Sequence, residues 1–215
     1  MNISISAVHH FDPLCKQRLL KWLFFERSTH CHPPTFVAVE WDCQIFEQIL
    51  KQRKIVYNLA KKRWPNATTK FLYALAEAVA YEGDTHMEVF PDIPTIWLDQ
   101  GITIDDQTII TDYAKDRINV YVNLIGDKIC NFDEETLHFM SRRAWERSEF
   151  SNNRKTDRDD KFSSIIINKY VLNPNKWAIV IVGANHAKKH QGTMISELEN
   201  HGFNIEVSKL NPKWD

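Results

Sequence analysis

Apolar and polar positions follow one another along this chain in the rhythm of an α/β protein. Ile3, Ile5 and Ala7 alternate with Ser4, Ser6 and Val8, the period of a short strand. Asp12-Pro13 then reads as a helix start, since a carboxylate accepts from free amides and proline needs no amide partner there. Leu19, Leu20, Leu23 and Phe24 supply the apolar face of that helix. His32-Pro33-Pro34 stops it, and Thr35 to Val39 forms a second strand that runs into Glu40, Trp41 and Asp42.

Residues 43–62 return to helical spacing through Ile45, Phe46, Ile49, Leu50, Val56 and Leu59. A further helix is predicted from Thr69 to Tyr81, with Gly83 beyond it as a stop. Pro91 and Pro94 frame a third strand, Thr95 to Leu98, which ends in Asp99. Helical spacing resumes from Asp105 to Gly126. Asn131 is the expected cap of the next helix, with Glu134 in capping-box register and Leu137, Met140, Ala144 and Trp145 as its stripe. After a polar loop at 151–156, Asp157 opens a helix through Ile165, Ile166 and Tyr170, and Asn173-Pro174 ends it. The unbroken apolar run Trp177 to Val182 reads as a buried parallel strand. A helix over 193–200 and a strand over 203–207 complete the chain.

These elements predict the α/β class: a central, largely parallel or mixed sheet flanked by helices. The 215 residues suit a single domain, 1–215, with a helical insertion or cap at 105–150. Composition agrees, with 43% hydrophobic and 26% charged residues, which is ordinary for a folded protein. The net charge of -1 supplies no global field for nucleic acid or an anionic membrane. Residues 51–63 hold a local excess of Lys and Arg, which reads as a solvated face or as a surface for a protein partner. Four cysteines without a CxxC pair point to reduced thiols and a cytoplasmic protein. Neither a signal-peptide pattern nor an apolar run near the roughly 18 residues of a membrane span is expected.

Candidate chemistry collects at strand exits. His9 follows the first strand, Glu40 the second, Asp99 the third, and the turn Gly183-Ala184-Asn185-His186 the fourth. Carboxyl edges of open parallel sheets are where ligands bind. His9, Glu40 and His186 are ligand types for a divalent metal such as Zn or Mn, and Asp99 could add a carboxylate or orient a histidine. His10 competes with His9; strand parity would put His9 on the side of Ile3 and Ile5. Arg158, between Asp157 and Asp159, could anchor a substrate anion or stabilise developing charge, or form a structural ion pair. His86, among acidic neighbours, reads as an exposed histidine. A catalytic metal centre, a shared polar binding site and unrelated structural roles stay open on residue types alone. The GxGxxG, Walker and GxSxG patterns are lacking, which argues against common nucleotide-binding loops and a serine nucleophile.

The ends of the chain carry a resemblance. Ser6-Ala7-Val8-His9 looks like a GxxH element with serine for glycine, and Gly183-Ala184-Asn185-His186 retains a second one. With the strand ending in Glu40, the Asp99-Gln100 segment and Asp157-Arg158-Asp159, the chain resembles the TraB and Tiki-like group, remotely similar to erythromycin esterase and ChaN-like proteins. Gln100 stands where that pattern has arginine. The resemblance implies an α/β fold and a metal-dependent hydrolase acting on a peptide or ester-like substrate. In that reading His9, Glu40 and His186 hold the metal, while Glu40, Asp99 and Arg158 serve catalysis. The alternatives are a noncatalytic ligand or haem-binding protein of the same fold, or a protein-interaction module. A homo-oligomer is compatible with either.

Overall fold

A computed structural model describes residues 2–99, 106–127, 131–149, 158–170 and 176–214. Gln100, Cys130, the 151–156 loop with Asp157, and Asn173-Pro174 lie outside the described residues.

Five strands form one sheet: β1 (Asn2–Val8), β2 (Val37–Val39), β3 (Thr95–Trp97), β4 (Trp177–Gly183) and β5 (Asn204–Lys209). Their spatial order is β3-β2-β4-β1-β5, and every pairing is parallel. The helices are α1 (Cys15–Thr29), α2 (Cys43–Arg63), α3 (Thr69–Glu77), the one-turn α4 (Tyr81–Asp84), α5 (Asp106–Ile125), α6 (Glu134–Glu149), α7 (Asp159–Tyr170) and α8 (Met194–Asn200). The expected α/β class, sheet flanked by helices with a helical cap, is therefore observed.

Alternation along β4 explains the layering. Trp177, Ile179 and Ile181 face a core shared with Leu19, Trp22 and Leu23 of α1. Ala178, Val180 and Val182 face Phe162 and Ile166 of α7 and Met194 and Leu198 of α8. A strand buried on both faces has no polar side to show, which is why it reads as an unbroken apolar run. A third core, built from α2, α3, α5 and α6 around Phe71, Leu75, Tyr121 and Met140, makes the cap. Among the described residues no helix is long and apolar enough to cross a membrane. Cys15, Cys31 and Cys43 carry free thiols.

Several local expectations change. Phe24 is 54% exposed, because the buried stripe of α1 runs through Cys15, Arg18, Leu19, Trp22, Leu23 and Glu26. The helix starting near 134 is capped by Asp133, whose Oδ1 accepts from the Thr136 amide at 3.2 Å, and not by Asn131. The helix begun at Thr69 ends at Glu77; Ala80, left-handed at φ 50°, turns the chain into α4. His86 is fully buried, its Nε2 2.7 Å from Thr95 Oγ1. Burial lowers its pKa to about 4.

Candidate functional site

The connection leaving β1 crosses β4 to reach β2, whereas the connection leaving β4 crosses β1 to reach β5. Their loops diverge, and the carboxyl ends of β1 and β4 border the crevice that open α/β sheets use for ligands. Val8 pairs with Gly183 at this edge, so the turns that follow, His9-His10 and Ala184–His186, lie side by side. Gly183 donates its amide to Glu40 Oε2 at 2.6 Å, which ties the exit of β2 to that of β4. A Cβ on Gly183 would lie 2.7 Å from His10 Nε2 and 3.1 Å from Glu40 Oε2, so the packing demands glycine there.

Glu40 is the hub. Its Oε1 receives Arg158 Nη2 at 2.6 Å and lies 3.2 Å from His186 Nε2. Arg158 Nη1 donates to Asp99 Oδ2 at 2.7 Å, so one guanidinium bridges the exits of β2 and β3. Asp159, the first residue of α7, holds His186 Nδ1 at 2.7 Å. Four of the expected residues, Glu40, Asp99, Arg158 and His186, thus converge.

His9 does not join them in hydrogen bonding. Its ring packs on Trp145 with centroids 5.6 Å apart, and its Nδ1 accepts the Phe11 amide at 3.3 Å. It borders the same crevice, but His10 is the histidine facing Glu40, with Nε2 3.8 Å from Glu40 Oε2. The reason is local. β1 stops at Val8 and the Asp12 amide closes a turn on the His9 carbonyl at 3.0 Å, so strand alternation no longer assigns faces there.

His10 Nδ1 is hydrogen-bonded to Glu82, a fully buried carboxylate. Glu82 reaches it because Ala80 redirects the chain and Gly83 lets α4 press against Phe46, whose ring would meet a Cβ at 2.2 Å. Arg117, on α5, donates to the carbonyls of His10 and Ala78, pinning the turn from the cap side. Glu82 and Asp159 are members of the cluster that sequence reasoning missed. Asp159 had a signal, since it adjoins Arg158 at a helix start; Glu82 had none beyond lying in an acidic stretch.

Electrostatics follow from this packing. Burial opposes the Glu40 carboxylate, but the hydrogen bond from His186 and the charges of His10, His186 and Arg158 outweigh it and hold its pKa at about 2. Burial likewise opposes the His186 imidazolium, yet Asp159 and Glu40 raise its pKa to about 9. In that state Nε2–H donates to Glu40, and Arg158 Nη2 at 3.2 Å is a repulsive neighbour. His10 is raised too: burial works against it, and Glu82 and Glu40 prevail. His9 goes the other way, to about 4, through burial and the charges of His10 and Arg117. Burial raises Asp99 despite Arg158.

The chain matches no protein-family model, no curated protein and no solved structure.

The cluster's charge bears on whether a divalent ion suits it. Glu40, Glu82, Asp99 and Asp159 supply four carboxylates against two guanidiniums, Arg158 and Arg117, and both imidazoles are pulled toward the protonated state as a result. Glu82 Oε2 and Asp99 Oδ1 are buried acceptors that meet no donor among the described residues. This is a field that welcomes added positive charge, and a metal would take the place of imidazole protons. The donor types fit Zn or Mn when His10 replaces His9 in the set with Glu40 and His186. In the arrangement described, Arg158 supplies the cation at Glu40, and no ready-made cage of three such ligands occurs among the described residues.

Proposed function

We propose that the chain is a metal-dependent hydrolase of a peptide or ester-like substrate, working where β1, β2 and β4 end. The observation that supports it most is that His10 and His186 each rest Nδ1 on a carboxylate, Glu82 and Asp159, and turn Nε2 toward Glu40. Carboxylates orient metal-bound histidines in this way. The likeness to the TraB and Tiki-like group points to the same chemistry through Glu40 and His186.

His10, Glu40 and His186 would hold the ion. When bound, a divalent ion lowers the pKa of water and polarises a carbonyl. The protein's own groups do the rest. Glu82 and Asp159 fix the tautomers that leave Nε2 available. Gly183 keeps open the space that a side chain would fill. Arg158, tethered to Glu40 and Asp99 yet with 40% of its side chain exposed, meets negative charge as it develops on the carbonyl oxygen. Phe11, Trp41 and Ile45 give the adjoining chamber, about 430 Å³, apolar walls that limit water around the scissile bond.

One observation favours a second reading. His10 with Glu82 is already an oriented base with a 37% exposed ring, and Arg158 is already a cation on Glu40, the carboxylate His10 faces. Such a pair could take a proton from water and stabilise the oxyanion without a metal. Assays of the purified protein on ester, peptide and phosphate substrates, with and without chelator, separate the two. Turnover abolished by chelation and restored by Mn or Zn supports the metal reading, and turnover indifferent to chelation supports the second. Absence of turnover on every substrate in both conditions overturns both.

A further inference from the structure

Two cavities meet at this cluster and a cleft adjoins the second of them, and their linings differ. The chamber under the cap, about 430 Å³, is lined by Phe11, Trp41, Ile45, Tyr113 and Val120 and, besides the cluster's own residues, by Asp42, Asp116 and Arg117. It shares His10, Phe11, Glu40 and Arg158 with a central cavity of about 270 Å³ over Gly183 and His186. The central cavity in turn shares Ala184 and Asn185 with a cleft of about 900 Å³ beside β5. Among the described residues that cleft is lined by Lys188, Lys189, His190 and Lys209 beside Trp145, Ile205 and Val207; the one acidic residue among them, Glu199, is paired with Lys189 at 2.7 Å.

A ligand lying across the cluster therefore meets aromatic and aliphatic walls at one end and lysine ammonium groups at the other. Apolar burial rewards a hydrophobic group in the first, at about 25 cal/mol per Å² removed from water. The second attracts an anion through point charges, with no planar fork to demand one geometry. We propose that the substrate is an amphipathic amide or ester, with an aromatic or bulky apolar group on one side of the scissile bond and an anionic group on the other. This rests on the hydrolase reading for the bond broken. Water adds its hydroxyl to the acyl carbon, the bond to nitrogen or oxygen breaks, and the leaving atom takes the proton. One product carries the apolar group and the other the anion.

Ligand recognition can be read apart from turnover by calorimetry in chelator. The probes are N-phenylacetylglycine, its aminomethylphosphonate counterpart, its neutral N-methylamide and N-acetylglycine. Wild-type protein is expected to bind at least one of the two anionic aromatic probes about tenfold or more tighter than both the neutral amide and N-acetylglycine; which one tells carboxylate from phosphonate. Lys209→Ala weakens the preference for charge, and Val120→Trp removes the preference for the aromatic group. Equal affinities across the four probes, or no binding of any, overturn the proposal, and this comparison needs no variant to fold. Selective binding without hydrolysis in metal-replete buffer leaves it standing and counts against the hydrolase reading alone.

Discussion

His186 and Asp159 share a 2.7 Å hydrogen bond through imidazole Nδ1, although one closes the turn behind β4 and the other opens α7. The bond sets both the ring's tautomer and its charge. Asp159→Asn keeps an acceptor but removes the charge. The His186 pKa, about 9 in the native protein, should then fall by more than about one unit when followed by NMR through its ring protons. An unchanged titration would show that Asp159 does not govern the ring.

The same pair makes metal-free stability depend on pH, with a definite sign. His186 binds its proton more tightly folded, at about 9, than unfolded, at about 6.5. Its contribution is fully present below 6.5 and is lost as pH rises to 9, by about 3 kcal/mol at the scale of 1.36 kcal/mol per unit. Glu40 runs oppositely: its contribution is present above about 4.5 and is lost as pH falls toward 2. Urea denaturation between pH 6.5 and 9.5 should show the alkaline loss in wild type and a clearly smaller one in His186→Gln. Parallel curves would contradict it.

Gly183→Ala places a methyl group against His10 Nε2 and Glu40 Oε2. The His10 ring is the part able to yield, since its side chain is 37% exposed while Glu40 is locked by Arg158, His186 and the Gly183 amide. Overpacking of this kind costs about 1–3 kcal/mol, and displacement of His10 should lower kcat at least tenfold. A variant with wild-type melting temperature and kcat would show that the tight approach is unimportant.

Much of this arrangement is legible in the sequence because strand exits are local. An apolar run followed by a polar residue marks the exits at Glu40, Asp99 and His186, and all three, with Arg158, join the cluster. Strand parity favours His9 over His10, but it fails where the chain turns after Val8. Glu82 depends on a left-handed alanine and on a glycine pressed to Phe46, neither of which leaves a periodic trace. His86 reads as exposed among its acidic neighbours, but short helices fold it inside.

Away from the cluster, Asp12 accepts from Arg18 at 2.6 Å and from the Trp145 indole at 2.7 Å, all buried, joining α1 to α6. Arg18→Met leaves that carboxylate without its cation, and urea denaturation should show a loss of about 3–5 kcal/mol. Adding Asp12→Asn should recover part of it, because the stranded charge disappears. A single variant as stable as wild type would mean that the pair contributes little.

The proposed metal centre consists of His10, Glu40 and His186, with His9 outside it. The most direct measurement is metal content after loading with Mn or Zn and gel filtration, on wild type, His9→Ala, His10→Ala and His186→Ala, each checked for folding by circular dichroism. One ion per chain is expected in wild type and His9→Ala, and loss in His10→Ala and His186→Ala. Loss in His9→Ala with retention in His10→Ala, or no ion in folded wild type, would contradict it.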